Sequence, residues 1–127
     1  MIKQENLSPF EWEVMKLFWK KGKSTVRDIV DGLPEAYQRA YTTVQTYVER
    51  LAEKGFLEKE KSGNVNLFAP SISERTILHQ ETEKFVARAF SGNFSQLARY
   101  LAHSGRLTES DIDELQRLVS ESEGGQK

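Results

Sequence analysis

Apolar residues recur along this chain at two periods, and the change of period divides it. Trp12, Met15, Phe18 and Trp19 stand three or four apart, as on one face of an amphipathic helix. Ser8-Pro9-Phe10-Glu11 opens that helix. Ser8 is placed to cap it, Pro9 suits the first helical position, and Glu11 completes a capping box. Lys20-Lys21-Gly22 closes it with cations at the negative helix end and a glycine beyond. Ser24 or Thr25 caps a second helix, with Asp28 in the capping-box position, Val26, Ile29, Val30 and Leu33 inward, and Pro34 as its stop. A third helix spans residues 42–54 before Gly55, with Val44, Tyr47, Val48 and Leu51 as its buried face. Thr42 and Gln45 fit a capping box at its start.

After Gly55 the runs at 56–61 and 65–69 flank Ser62-Gly63-Asn64, which predicts a β-hairpin. Pro70 punctuates, and helical spacing then returns in three further segments. A long helix from Ser71 or Ser73 to about Phe90 carries Ile77, Phe85 and Phe90. A short one carries Leu97 and Leu101 and ends near Ser104-Gly105. A last one, capped by Thr108 with Asp111, carries Ile112, Leu115 and Leu118 before a frayed polar tail at 121–127. The expected fold is mainly α with a small β-hairpin. Residues 1–70 have the three-helices-then-hairpin order of a winged helix-turn-helix. Residues 71–127 bury too little apolar surface to stand alone. They read as a helical dimerisation domain, with Ile77, Phe85, Phe90, Leu97, Leu101, Ile112, Leu115 and Leu118 as its contacts. The alternative is a cap folded on its own N-terminal domain.

The outer face of the 42–54 helix holds Thr42, Thr43, Gln45, Thr46, Glu49 and Arg50, mostly short hydrogen-bonding side chains. Gln and Arg pair bidentately with adenine and guanine, and Thr meets the thymine methyl. The same face also reads as a solvated one, and Gln45 as a cap. Lys59 and Lys61 on the hairpin suit a phosphate backbone, although Glu58 and Glu60 beside them suit a solvated edge. Charge gives modest direction. The first 70 residues hold 11 Lys+Arg against 10 Asp+Glu, and the other 57 hold 7 against 9. Any phosphate grip therefore comes from local clustering. Cysteine is absent and the two histidines, His79 and His103, lie in different segments. Disulfides, thiolate metal sites and a catalytic thiol are excluded, and no cofactor is called for. No glycine-rich phosphate loop or nucleophile-base pair points to an enzyme. No apolar run approaches the roughly 18 residues of a membrane span, and the start lacks a signal-peptide core, so a cytoplasmic location is expected.

The run Leu7-Ser8-Pro9-Phe10-Glu11-Trp12-Glu13-Val14-Met15, with Trp19 at the helix end, resembles the opening of the penicillinase-repressor family of the BlaI/MecI type. Thr43-Val44-Gln45-Thr46, Arg50-Leu51, Lys54-Gly55, Ala69-Pro70, Leu107-Thr108 and Ile112-Asp113-Glu114-Leu115 continue the resemblance in order. It implies a cytoplasmic, homodimeric transcriptional repressor that binds an inverted-repeat operator in double-stranded DNA. Thr43, Gln45 and Thr46 would then face bases, and Arg50 a base or the backbone. Thr42 replaces a lysine common in the family, and Arg39-Ala40-Tyr41 replaces Trp-Ser-Pro, so that Arg39 would restore a phosphate contact. The family's induction also implies a sensor-linked protease as partner, which cuts an Asn-Phe bond in the middle helix of the dimerisation domain. Aligned back from Leu107, that position is Tyr100-Leu101, so the usual bond is absent there. The cysteine metal motif of the related copper-responsive repressors is excluded. The competing function is a winged-helix module that binds protein rather than DNA.

Overall fold

In the computed structural model, residues 6–125 are described, and they form two compact units that meet within a helix, at Glu81 and Thr82. The first unit begins with α1 (Pro9–Lys21), capped as expected. The Ser8 hydroxyl accepts from the Glu11 amide at 3.2 Å, and the Glu11 carboxylate accepts from the Ser8 amide at 2.8 Å. Glu11 is buried and also takes the Lys54 ammonium at 3.0 Å. Burial opposes its charge, but the Ser8 amide and Lys54 outweigh it and hold the carboxyl below its ordinary value. Met15 and Phe18 of the expected stripe are fully buried, and Phe10 and Val14 join them in the core. Trp12 and Trp19 are only half-buried against the core, and the Trp19 indole N–H donates to the Ile72 carbonyl at 3.0 Å.

Thr25, rather than Ser24, caps α2 (Val26–Gly32), and its reciprocal bonds hold the Asp28 carboxyl below the usual range. Ser24 instead exchanges backbone hydrogen bonds with Phe68 at 2.9 and 2.8 Å, which adds one bridge to the hairpin. A single 3-10 turn, Glu35–Tyr37, leads to α3 (Tyr41–Glu53). Strands β1 (Leu57–Ser62) and β2 (Val65–Pro70) pair antiparallel with Ser62 opposite Val65. Gly63 at φ +63° supplies the left-handed turn position that a two-residue hairpin loop requires. Val44, Val48 and Leu51 of α3 close on Phe18, Ile29, Phe56 and Phe68.

The first half of α4 (Glu74–Ala89) belongs to this unit, which therefore extends eleven residues beyond the expected boundary. Ile77, expected in the dimer contact, is 3% exposed within the first unit's core. Its side chain is consumed by its own fold.

The second unit continues α4 and adds α5 (Phe94–His103) and α6 (Glu109–Gly125). Of the expected frayed tail at 121–127, residues 121–125 are helical and 126–127 lie outside the described residues; the reciprocal Thr108–Asp111 cap and the Arg117 pairs with Glu114 and Glu121 support the length of α6. Phe90 touches the Phe85 ring at 5.8 Å and the Tyr100 ring at 6.5 Å. Among the described residues of this unit only Val86 is buried. Phe85, Leu101, Ile112, Leu115 and Leu118 are all exposed, and Leu97 is half-buried. Asn93 caps α5 through the Gln96 amide, and Phe94 follows as its first residue, 46% exposed. An Asn-Phe bond does occur elsewhere in the chain, as Asn93–Phe94, seven residues upstream of Tyr100–Leu101.

Candidate nucleic-acid interface

The start of α3 departs from the sequence expectation in a way that changes the role of its side chains. The N-cap is Ala40, with no side-chain cap, and Thr42 is already the second residue of the helix. Ala40 is extended, so the helix begins directly after it. Gln45 therefore sits too far along α3 to close a capping box, and the alternative role is removed. The Thr46 hydroxyl donates to the Thr42 carbonyl at 3.0 Å, a bond back to the preceding turn that orients its methyl group.

The buried stripe of Val44, Val48 and Leu51 turns the opposite side of α3 to solvent. Thr42, Thr43, Thr46 and Arg50 are all exposed there. The side chains of Thr42, Thr43 and Arg50 make no hydrogen bond among the described residues. Arg50 is held by its own helix, with the guanidinium 5.7 Å from the Tyr47 ring centre. Gln45 does not share this face. It turns, with Tyr41 and Glu49, into a cleft of about 460 Å³ between α3, the start of α2 and the hairpin. Thr25, Val26 and Arg27 line one side of the cleft, and Asn64, Val65, Asn66 and Phe68 the other.

The other expected cations are distributed around α3. Arg39 is exposed; it donates to the Gln38 carbonyl at 2.9 Å, and its guanidinium lies 5.2 Å from the Phe10 ring centre. Lys59 is tied to Glu49 at 3.0 Å, so its charge is locally balanced. Lys61 is exposed beside the hairpin turn and forms no ion pair among the described residues. The hairpin's other basic neighbour, Lys23, is paired with Glu60 at 2.7 Å.

Arg27, Tyr41, Asn64 and Asn66 escaped the sequence reading. The sequence places Asn64 only in a turn. Arg27 carried a usable signal: a cation in the first turn of a helix opposes the helix dipole and calls for another reason to be there. No group of three or more metal-ligating side chains occurs among the described residues, and none of their helices is long and apolar enough to cross a membrane.

A family model described as "Penicillinase repressor" matches residues 7–121. The penicillinase repressor of Bacillus licheniformis is 27% identical over 127 residues, covering 100% of this chain and 99% of that protein. The methicillin resistance regulatory protein MecI of Staphylococcus aureus is 24% identical over 118 residues, covering 93% and 96%. Among solved structures, the DNA-binding domain of the repressor BlaI is 34% identical with a TM-score of 0.52; the match covers 58% of this chain and 90% of that one.

Proposed function

Because the chain belongs to the penicillinase repressor family, we propose that it is a cytoplasmic, homodimeric transcriptional repressor that binds an inverted-repeat operator with α3 in the major groove. The observation that carries this reading is the free polar side of α3. Thr42, Thr43, Thr46 and Arg50 are presented outward by a helix whose other side is locked into the core. These are side chains suited to base edges and phosphates. Likeness to the DNA-binding domain of a repressor supports it.

Two copies are needed in this reading, because an operator of two half-sites is matched by a two-fold protein. The exposed apolar residues of α5 and α6, Leu101, Ile112, Leu115 and Leu118, supply the contact, together with Phe85, Phe90 and Leu97. If derepression proceeds by proteolysis, Asn93–Phe94 is the bond of the family's chemistry that this chain offers. It stands at the exposed start of α5, beside Ser91 and Gly92 with φ of +52° and +80°. Cutting there would separate α5 and α6 from the rest of the chain.

The test is selection of bound sequences from a library of random duplex DNA, with sequencing of the enriched fraction. An enriched inverted repeat supports the dimeric repressor. Absence of enrichment and of binding at low salt would overturn it in favour of the protein-binding module. Mass spectrometry of the chain after induction in its host would report a fragment ending at Asn93, or an intact chain.

A further inference from the structure

We infer that the cleft between α2, α3 and the hairpin receives one sugar–phosphate strand of the duplex, and that Arg27, stacked on Tyr41, is its phosphate anchor. This inference rests on the DNA-binding reading and adds to it two residues that neither the sequence nor the comparisons assign.

Four observations converge. First, the cleft is a groove of about 460 Å³, open to solvent and walled by three elements that meet beside the exposed face of α3. Second, the Arg27 guanidinium lies 4.8 Å from the Tyr41 ring centre, so a long side chain is already oriented before any ligand arrives. Its nearest carboxylate, Asp31, is 3.8 Å away with both side chains more than 60% exposed, too loose a pair to neutralise it. Third, two of the neighbouring cations are paired, Lys59 with Glu49 at 3.0 Å and Lys23 with Glu60 at 2.7 Å, and Lys61 does not line the cleft. Fourth, the opposite wall ends in Asn64 and Asn66, uncharged amides that donate to phosphate or sugar oxygens without sequence preference.

A guanidinium bound to phosphate positions the protein without reading bases. Arg27 should therefore act on all duplexes alike, whereas Gln45, at the inner edge of the same cleft, can act on sequence. One phosphate contact releases roughly 0.9 of a counterion, which corresponds to about eightfold in affinity at 0.1 M salt.

The experiment is a salt titration of duplex binding by the full chain, using an operator recovered by selection and a random duplex of equal length. Variants are Arg27→Gln, Tyr41→Ala and, as a charge control at an exposed position of α1, Lys16→Gln. Arg27→Gln should weaken both duplexes by about the same factor, on the order of tenfold, and lower the slope of log affinity against log salt by about one. Tyr41→Ala should produce a smaller loss in the same direction, and Lys16→Gln a negligible one. Circular dichroism checks that each variant is folded. Unchanged affinity and slope in Arg27→Gln, with steep salt dependence retained in the parent, would overturn the anchor and leave the repressor reading intact. A loss confined to the operator would make Arg27 a base reader and would also overturn it. A parent chain that binds neither duplex at low salt would sink both readings together.

Discussion

The two units of this chain use the same kind of apolar stripe for opposite ends. In the first, Val14, Met15, Phe18, Ile29, Val44, Val48 and Leu51 are all inaccessible to solvent. In the second, Ile112, Leu115, Leu118 and Val119 recur at the same helical spacing and are 43–54% exposed. Periodicity identifies a face that wants cover; it does not identify the cover. Three helices, a hairpin and the first half of α4 close a core around themselves, whereas α5, α6 and the rest of α4 are too little material to do so. Exposed apolar surface of this kind is what an interface covers, and in the proposed reading the dimer would cover it.

The sharpest way to break the comparison is to move the cut between the units. A chain ending at Glu81 keeps Ile72 and Ile77, and it keeps the Ile72 carbonyl that receives the Trp19 indole. It should fold as a monomer with a cooperative transition. A chain ending at Pro70 loses all of these. It should be less stable by about 3–5 kcal/mol, of which a fully buried isoleucine supplies roughly 2–3 and the hydrogen bond about 1. Urea unfolding of the two truncations measures the gap. Equal midpoints would return the boundary to residue 70.

Ile77 also shows where sequence legibility ends. The order of helices, the hairpin and the caps at Ser8, Thr25 and Thr108 were readable, because caps and turns are set by residues three or four apart. Ile77 reads from the sequence as part of the second unit, although it packs in the first, because α4 is one continuous helix with a weak apolar pattern, and the change of partner halfway along it depends on distant residues. The cleft was invisible for the same reason. Arg27, Tyr41 and Asn66 lie far apart in sequence and meet only when α2, α3 and the hairpin pack.

The second unit is tested by the opposite substitution. Leu118→Ala removes a large exposed side chain from α6. In a self-contained unit this would cost a few tenths of a kcal/mol at most. Across a two-fold interface the change counts twice, and dimerisation should weaken by about 2–4 kcal/mol. Sedimentation over a range of concentrations should show more monomer, with the stability of the 1–81 unit unchanged. An unaltered dissociation constant would remove Leu118 from the interface.

Glu11 sharpens the comparison through pH. Its folded carboxyl lies below the ordinary value of 4.5, so it stabilises the first unit fully above that pH and loses this contribution as pH falls toward the folded value. Glu11→Gln should cost about 1–2 kcal/mol near pH 7, where the charged bonds to the Ser8 amide and Lys54 are lost. The deficit should shrink steadily below pH 4.5. Denaturant midpoints of parent and variant at pH 7 and pH 3.5 provide the check, and a deficit independent of pH would mean that the ionisation of Glu11 is not what stabilises the unit.

The smallest effect on stability, and the most specific for function, is expected at Glu49. Its pair with Lys59 joins α3 to β1 at 3.0 Å, but both side chains are substantially exposed. Such pairs contribute less than about 1 kcal/mol. Glu49→Gln should therefore leave the first unit folded with its midpoint nearly unchanged. Its consequence lies in the field of the cleft, where Glu49 is a lining carboxylate and its partner is the cation that β1 brings beside α3. Removing the carboxylate deletes a charge that repels phosphate and releases Lys59 toward the backbone. Affinity for any duplex should then rise several-fold at low salt, the salt slope should steepen by about one, and parent and variant should converge as salt screens the added contact. Curves that superimpose at every salt concentration would show that Lys59 never meets the backbone, and the grip would then rest on Arg27, Arg39, Arg50 and Lys61.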